Sequence, residues 1–292
     1  MNLIYEKISS IIFPIYLVGG AVRDKIMGIE TQDYDFATPV KPDEVERLLK
    51  KNNYRTYAVG KRFGTIGMLY KGHDIQITTF RSEKYVEFSR KPNVQYGNDL
   101  GKDLMRRDFT INAMALDVSG QLIDPFNGLR DVGSKILRSI GDATEKFKED
   151  PLRMLRAVRF CSQLGFDVDK KTISAIKKNR ELLLLVSKER WLMEMDKLLI
   201  GKNLVAALIL LKKTGLLQVM LKDFGLRRQL QFSDMSLSND PDMQWAKLMQ
   251  KVISSRNLSV ENLTKIAFHL KWSKKRRKKI LTNEKNAGIL NS

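Results

Sequence analysis

The sequence predicts an α+β protein in which strands and helices mix in the N-terminal part and helices form the remainder. Before residue 125, short apolar runs alternate with polar residues in the manner of strands. After residue 126, apolar residues recur three and four positions apart, which is typical of amphipathic helices. Strands are predicted over 15–18, 64–70, 74–80 and 135–140, and helices over 42–50, 150–164, 170–185, 188–200 and 204–213.

The composition is strongly basic. The 292 residues include 52 Lys and Arg against 33 Asp and Glu, which gives a net charge of +19. This excess predicts a polyanionic partner, and charge alone leaves RNA, DNA and an anionic membrane surface open. No apolar stretch approaches the roughly 20 residues of a membrane span, and the run 11–18 is broken by Pro14. A cytoplasmic protein without membrane association is therefore expected.

Cysteine and histidine are scarce. Cys161 is the single cysteine, so an internal disulfide is excluded, and its apolar neighbours predict a buried helical position. With only His73 and His269, the chain cannot build a histidine-rich metal phosphohydrolase domain.

The segment from Gly19 to Asp24 combines a glycine pair with a cation. Without side chains at Gly19 and Gly20, backbone N–H groups can approach a triphosphate, and the N-terminus of a helix over 21–27 favours anions. Arg23 adds a positive charge. Since neither the G-x-G-x-x-G nor the P-loop spacing is present, the turn is interpreted as a different phosphate site, with Gly20 and Arg23 as ligands.

Asp33-Tyr34-Asp35 follows this turn and alternates like a strand. Both aspartates should therefore point to one face, where two like charges are stabilised by a cation such as Mg²⁺. Two such ions can activate a hydroxyl and stabilise a leaving pyrophosphate. Asp33 and Asp35 are the predicted catalytic and metal-binding residues of a nucleotidyl-transfer site.

These segments resemble the head-domain signature of class II tRNA nucleotidyltransferases, the CCA-adding enzymes, and of bacterial poly(A) polymerases. The resemblance implies a polymerase-β-like nucleotidyltransferase head with an antiparallel or mixed sheet over 1–125, a helical neck over 126–199 and a helical body over 200–292. Four motifs occur in the order found in that family: Gly19–Asp24 with Asp33–Thr38, Arg106–Ala113, Asp124–Asp131, and Glu149–Arg153.

The family's reaction would be attack by a tRNA 3′-hydroxyl on the α-phosphate of CTP or ATP, with two Mg²⁺ ions and release of pyrophosphate. Asp150 and Arg153, three apart on one face of the predicted helix, would read the base. The carboxylate accepts from the amino group of C or A, and the guanidinium donates to ring acceptors; G and U present the opposite pattern. By resemblance, Asp108 and Asn112 bind ribose and Arg107 binds phosphate. Arg156 and Arg159 extend the arginine face of the predicted helix three and six residues after Arg153, so they are expected to reach the triphosphate.

The region 81–103 is polar and contains Pro92, Gly97 and Gly101, so a mobile loop is predicted. In the resembling family, this loop is needed when the enzyme changes from adding C to adding A, and it is of full length here. One position departs from the family pattern. Gln76 stands where many relatives have an acidic residue, and whether Asp74 replaces it is left open.

The C-terminal part carries a cationic run expected to bind RNA phosphates. Relatives usually continue into a helical tail that contacts the tRNA elbow, so a short version lacking that tail is expected, with the run supplying some of its affinity. The predicted RNA-binding residues are Lys274, Lys275, Arg276, Arg277, Lys278 and Lys279.

Several functions compete with full CCA addition. Poly(A) polymerase activity is disfavoured because Glu189–Leu198 resembles the neck helix of the tRNA enzymes. Addition of only the terminal A remains open, since the same motifs serve both reactions. A non-catalytic RNA-binding protein conflicts with intact Asp33 and Asp35, and a small-molecule nucleotidyltransferase has no need of so basic a surface. No protein partner is implied.

Overall fold

The structure, a computed structural model, describes residues 3–31, 33–58, 60–84, 93–222, 230–233, 235–254 and 260–286. It divides into two compact units, Met1–Gly141 and Asp142–Ser292. The first unit contains a mixed sheet and the second is mainly helical, which confirms the predicted α+β class. The further division at residues 125 and 199 stays a prediction.

The first unit is built on a seven-stranded sheet. The strands are ordered β3-β4-β5-β2-β1-β8-β9, and the central pair β2 and β5 is parallel while the other described pairs are antiparallel. The sheet strands are β1 (Tyr16–Val18), β2 (Asp33–Thr38), β3 (Thr56–Tyr57), β4 (Thr65–Tyr70), β5 (His73–Thr79), β8 (Ala115–Leu116) and β9 (Leu122–Ile123); the remaining strands are β6 (Arg81–Lys84), β7 (Asn93–Tyr96) and β10 (Ile136–Leu137).

Helices of the first unit flank this sheet. A buried apolar cluster that includes Val18, Ala37, Leu104 and Ala113 ties β1 and β2 to the segments on either side of residue 108. That cluster fixes the relative positions of the backbone segments that carry the predicted site. The helices are α1 (Leu3–Ser9), α2 (Gly20–Ile26), α3 (Pro42–Lys51), α4 (Leu100–Met105) and α5 (Gly128–Gly133), with 3₁₀ turns at Lys61–Phe63 and Thr110–Asn112.

The alternation of β2 is as predicted. Tyr34 and Phe36 are buried, whereas Asp33 and Asp35 are exposed on the opposite face. In the parallel register with β5, Asp33 lies beside Asp74 and Asp35 lies beside Gln76.

The prediction of a mobile loop over 81–103 is wrong for the described part of that range. β6 and β7 pair as an antiparallel ladder, and α4 follows. The Asp99 side chain caps α4 by accepting a hydrogen bond from the backbone N–H of Lys102 at 3.2 Å. Residues 85–92, which include Pro92, lie outside the described residues. Strands of four residues and a helix of six residues leave too little apolar periodicity for a sequence pattern to reveal them.

The second unit consists of helices packed around buried side chains such as Trp191, Met195, Leu198 and Leu208. Residues 180–185 form a 3₁₀ helix rather than the end of the predicted helix over 170–185. No helix of the described residues is long and apolar enough to span a membrane. The elements are α6 (Ala143–Glu149), α7 (Leu152–Leu164), β11 (Asp167–Val168), α8 (Lys170–Asn179), α9 (Lys188–Leu199), α10 (Leu204–Lys213), α11 (Leu216–Met220), α12 (Pro241–Ser254), α13 (Val260–His269) and α14 (Lys274–Asn286).

The predicted helix over 150–164 begins two residues late. Asp150 ends α6 in an extended conformation, with φ −143° and ψ 99°. The cause is Pro151, because the ring of a proline disfavours the helical conformation of the residue before it. The prediction that Asp150 and Arg153 share one face of one helix is therefore wrong.

Candidate active site

The turn between β1 and α2 requires glycine. Gly19 has φ +72°, and a Cβ placed on it would lie 2.8 Å from Nη1 of Arg107 and 3.7 Å from Oδ2 of Asp35. Any side chain would therefore collide with the arginine in a backbone conformation that L-residues rarely adopt. The missing side chain lets the backbone, a guanidinium and a carboxylate approach one another.

The two aspartates of β2 form an acidic pair on one face of the strand. Asp35 as a whole residue is exposed, yet the surrounding protein desolvates its carboxylate. Desolvation is the largest effect and raises the pKa of Asp35; Arg107 lowers it, and the charges of Asp33 and Asp74 raise it further. A divalent cation between Asp33 and Asp35 would remove this repulsion, so the donor set fits Mg²⁺.

Asp74 lies on the neighbouring strand and is engaged by other side chains. It accepts hydrogen bonds from the Tyr57 hydroxyl and, at 3.4 Å, from Nε2 of Gln76. Desolvation and Asp74 raise the pKa of Tyr57 to about 12, with smaller contributions from Asp33 and Asp35. Within the described residues, no three side chains of metal-ligating type converge. Asp74 therefore does not complete a three-carboxylate set here.

Asp103, which the sequence reasoning did not single out, holds the arginines of the second motif. Its side chain is 0% exposed. Its carboxylate lies 2.8 Å from Nη2 of Arg106 and 3.3 Å from Nη2 of Arg107. The spacing was a usable signal, because residues three and four apart meet on a helical turn. Within the described residues, Nε of Arg107 is buried and has no hydrogen-bond partner.

The predicted ribose-binding residues form a buried network with Arg23. Nη1 of Arg23 donates to Oδ1 of Asn112 at 2.7 Å, and Nδ2 of Asn112 donates to Oδ1 of Asp108 at 3.0 Å. Arg23 also contacts Asp24 at 2.7 Å. The structure thus brings Arg23 to the site through Asn112, and its predicted contact with phosphate stays a prediction.

The third motif supports the turn that carries Asn112. Asp124 accepts hydrogen bonds from the backbone of Gly128 at 2.7 Å, and buried Asp131 accepts from Oγ1 of Thr110 at 2.7 Å. A Cβ on Gly128 would lie 2.4 Å from the Thr110 carbonyl oxygen. The contacts of Asp131 and Gly128 with Thr110 hold the 3₁₀ turn Thr110–Asn112 in place.

In the second unit, Asp150 and Arg153 are each paired with another charge. Asp150 lies 3.2 Å from Nη2 of Arg190, and Nη1 of Arg153 lies 2.7 Å from Oε2 of Glu149. The side chain of Arg153 is buried. The two predicted base-reading residues remain close in the chain, since the backbone N–H of Arg153 donates to the Asp150 carbonyl at 3.0 Å.

Arg156 and Arg159 on α7 converge on Glu194 of α9. Nε of Arg159 lies 2.7 Å from Oε2 of Glu194, and Nη1 of Arg156 lies 3.7 Å from Oε1. The Arg159 guanidinium also lies over the ring of Phe160, 4.1 Å from its centroid. The predicted phosphate ligands thus share one largely buried carboxylate.

The cationic run occupies the first turns of α14 and is divided between two environments. Arg276 pairs with Asp196 at 2.8 Å and with Asp242 at 2.6 Å, and Lys279 pairs with Asp240 at 2.6 Å. These two cations are engaged with acidic residues of the second unit. The other cations of the run are Lys274, Lys275, Arg277 and Lys278.

A glycine turn, a fixed arginine and paired strand aspartates on this sheet define a nucleotidyltransferase head. Residues 15–138 match the family model of the poly A polymerase head domain. Residues 165–225 match the model described as the probable RNA and SrmB-binding site of polymerase A. The chain belongs to the family of the poly(A) polymerases and CCA-adding enzymes.

Individual relatives agree with this assignment. The chain is 45% identical to the CCA-adding enzyme of Bacillus velezensis over 216 residues, which is 74% of this chain and 54% of that protein. The crystal structure of the Bacillus stearothermophilus CCA-adding enzyme in complex with CTP superposes with a TM-score of 0.79 and 33% identity, covering 98% of this chain and 71% of that one.

A tRNA nucleotidyltransferase complexed with a primer tRNA and an incoming ATP analog is 27% identical, with a TM-score of 0.71, covering 93% of this chain and 80% of that one. The chain spans about half the length of the curated relatives it matches.

Proposed function

We propose that this protein adds CCA to the 3′ end of tRNA, using CTP and ATP and releasing pyrophosphate. The observation that carries the proposal is the packing of Gly19 against Arg107 and Asp35 in the family's head fold. Relatives whose names and structures include CCA addition, CTP and a primer tRNA support the choice of substrate. The proposed compartment is the cytoplasm.

Asp33 and Asp35 would hold Mg²⁺. When bound, two such ions neutralise the triphosphate, activate the attacking 3′-hydroxyl and stabilise the leaving pyrophosphate. The pKa of Asp35 is raised mainly by desolvation, with a smaller contribution from the charge of Asp33, and a bound cation would favour the charged form against both effects.

The other head residues position the nucleotide. Backbone N–H groups at Gly20 and the guanidinium of Arg107 bind phosphate oxygens, and buried Asp103 keeps that guanidinium in place. Asp108 and Asn112 bind the ribose hydroxyls, with Arg23 orienting the Asn112 amide. Catalysis of this kind depends on in-line positioning and charge neutralisation, so a rigid set of side chains serves it well.

Asp150 and Arg153 select the base. The carboxylate accepts from the exocyclic amino group of C or A, and the guanidinium donates to the ring acceptors. Glu149 and Arg190 hold the two side chains when no base is bound. Arg156 and Arg159 add positive charge for the triphosphate, restrained by Glu194.

Addition of only the terminal A is the second candidate, because the same residues would read that base and the chain covers only part of its relatives' length. Poly(A) synthesis and RNA binding without catalysis are the other outcomes of the test below.

The test supplies purified protein and Mg²⁺ with tRNA ending before CCA, and separately with tRNA ending in CC, together with CTP, ATP or both. Products are resolved to single nucleotides. Addition of CCA followed by a stop is expected. Extension of only the CC-ending tRNA by one A indicates the A-adding enzyme, long A tracts indicate a polymerase, and tight binding without extension contradicts the enzymatic proposal.

A further inference from the structure

The cations in the first turns of α14 differ in their charge partners from one side of the helix to the other. Arg276, Lys279 and the buried Ile280 lie on the side that packs against the second unit, where Arg276 and Lys279 are paired with aspartates. Lys274 and Arg277 are three residues apart, so they share the opposite side of the helix. The pairing with aspartates of the second unit described for Arg276 and Lys279 therefore involves only one side of this helix.

Beside this outward side lies an aromatic ring that is not part of the run. Phe268, near the end of α13, is 61% exposed. The guanidinium carbon of Arg277 lies 3.9 Å from the centroid of its ring. Trp245 and Trp272, by contrast, are 1% and 4% exposed and belong to the buried core, to which the exposed Phe268 does not belong.

We propose that Phe268 and Arg277 form a stacking platform for an unpaired nucleobase of the RNA, with Lys274 and Lys275 binding the adjoining phosphates. An aromatic ring flanked by cations is the arrangement by which proteins hold single-stranded nucleic acid, since every base has a π-face and every nucleotide a negative charge. The inference rests on the proposed tRNA substrate and adds a contact site for it in the second unit.

Charge complementarity favours RNA over a protein or a second copy of this chain. The chain carries +19, and a second copy would bring the same positive charge to the platform. Asp196, Asp240 and Asp242 are occupied by Arg276 and Lys279, so they do not neutralise the outward cations.

The test measures equilibrium binding of tRNA ending before CCA by fluorescence anisotropy over a range of salt concentrations. Phe268→Ala should weaken binding about 5- to 100-fold, with the slope of log K against log salt unchanged because the ring is uncharged. Phe268→Trp should restore affinity. Lys274→Gln with Lys275→Gln should lower the slope by about 0.7–0.9 per lysine. The matched control is Ile209→Ala on α10, whose side chain is 53% exposed.

Two further measurements make the result decisive. Blunt duplex RNA without unpaired bases should bind Phe268→Ala and the wild type equally. Nucleotide addition at saturating tRNA should be the same in both proteins, so a wild type that binds but adds nothing overturns the proposed activity without affecting the platform. Equal tRNA affinity of Phe268→Ala and Ile209→Ala would overturn the platform. It would also be overturned if Phe268→Ala changed the oligomeric state of the protein but kept the wild-type affinity for tRNA.

Discussion

The head site and the segment around Asp150 hold their functional side chains in different ways. In the head, the predicted residues lie close together: the Arg107 guanidinium and the Asp35 carboxylate both lie beside Gly19, and the charge of Arg107 acts on Asp35. In the second unit, Asp150 and Arg153 do not pair with each other but with Arg190 and Glu149. The proposed metal and phosphate residues of the head lie close to one another, whereas the two residues proposed to read the base are each paired with another charged side chain.

This difference implies that transfer chemistry and base selection respond to different substitutions. Changes in the head should slow addition of every nucleotide. Changes around Asp150 should alter which nucleotide is added.

Replacing Asp33 and Asp35 together by Asn should reduce nucleotide addition by at least about 10³-fold, because metal-ion stabilisation of the transition state amounts to several kcal/mol. tRNA binding should persist. The control is Asp43→Asn, an exposed carboxylate on α3. Addition rates are measured under single-turnover conditions, and an unchanged rate in the double variant would refute the assigned site.

Arg107→Ala should lower kcat/KM for CTP and ATP alike by roughly 10²-fold, since it removes a fixed cation from the phosphate site. Arg47→Ala, which alters an exposed arginine paired with Glu44, should leave the rate unchanged. A selective loss for one of the two nucleotides would assign Arg107 to base reading instead.

Asp103→Asn should act through Arg107. We expect a loss of about 10-fold in kcat/KM, expressed mainly in the KM for nucleotide, because the guanidinium loses its charged partner but keeps its own charge. Thermal unfolding should show a loss of about 1–3 kcal/mol from the weakened buried network. If Asp103→Asn and Arg107→Ala are combined, the effects should not add, since both act on one group. Additive losses would contradict this positioning role.

Glu149→Gln and Arg190→Gln should each reduce discrimination of C and A against U and G by several-fold, because each frees one base-reading side chain from its restraint. Rates with the correct nucleotide should change less. Competition assays with all four triphosphates provide the measurement. Equal slowing with all four nucleotides would show that these ion pairs serve only folding.

The reactivity of the Cys161 thiol reports whether α7 stays firmly packed. Burial raises the pKa of its thiol to about 11. At pH 8, alkylation in the native protein should therefore be about 100-fold slower than in urea. Because the folded pKa is the higher one, the thiol's stabilising contribution is complete below about pH 9 and is lost as the pH rises towards 11. Rapid native alkylation would indicate that α7 opens.

The sequence was most informative where residues close together in the chain determine the feature. The face of Asp33 and Asp35 follows from the period of two in a strand, and the burial of Cys161 follows from its apolar helical neighbours. The glycine turn was predictable as a turn, but its contact with Arg107 joins residues almost 90 positions apart and required the fold.

Other features depended on partners that a linear pattern does not show. The sequence shows that Pro151 disfavours a helical conformation at Asp150, but the apolar periodicity after Pro151 led to a predicted helix that includes Asp150. Asp103 was hidden because a single acidic residue in a polar segment looks solvated until its burial is known. The inward pairing of Arg276 depends on Asp196 and Asp242, which lie 80 and 34 residues away.

The most direct test of the proposed separation measures kcat/KM for CTP, ATP, UTP and GTP in the wild type, Asp35→Asn and Arg153→Lys. Asp35→Asn should lower all four values by a similar factor, whereas Arg153→Lys should mainly reduce the preference for C and A. A changed preference in Asp35→Asn, or a uniform loss in Arg153→Lys, would contradict the division between the head site and the base-reading pair.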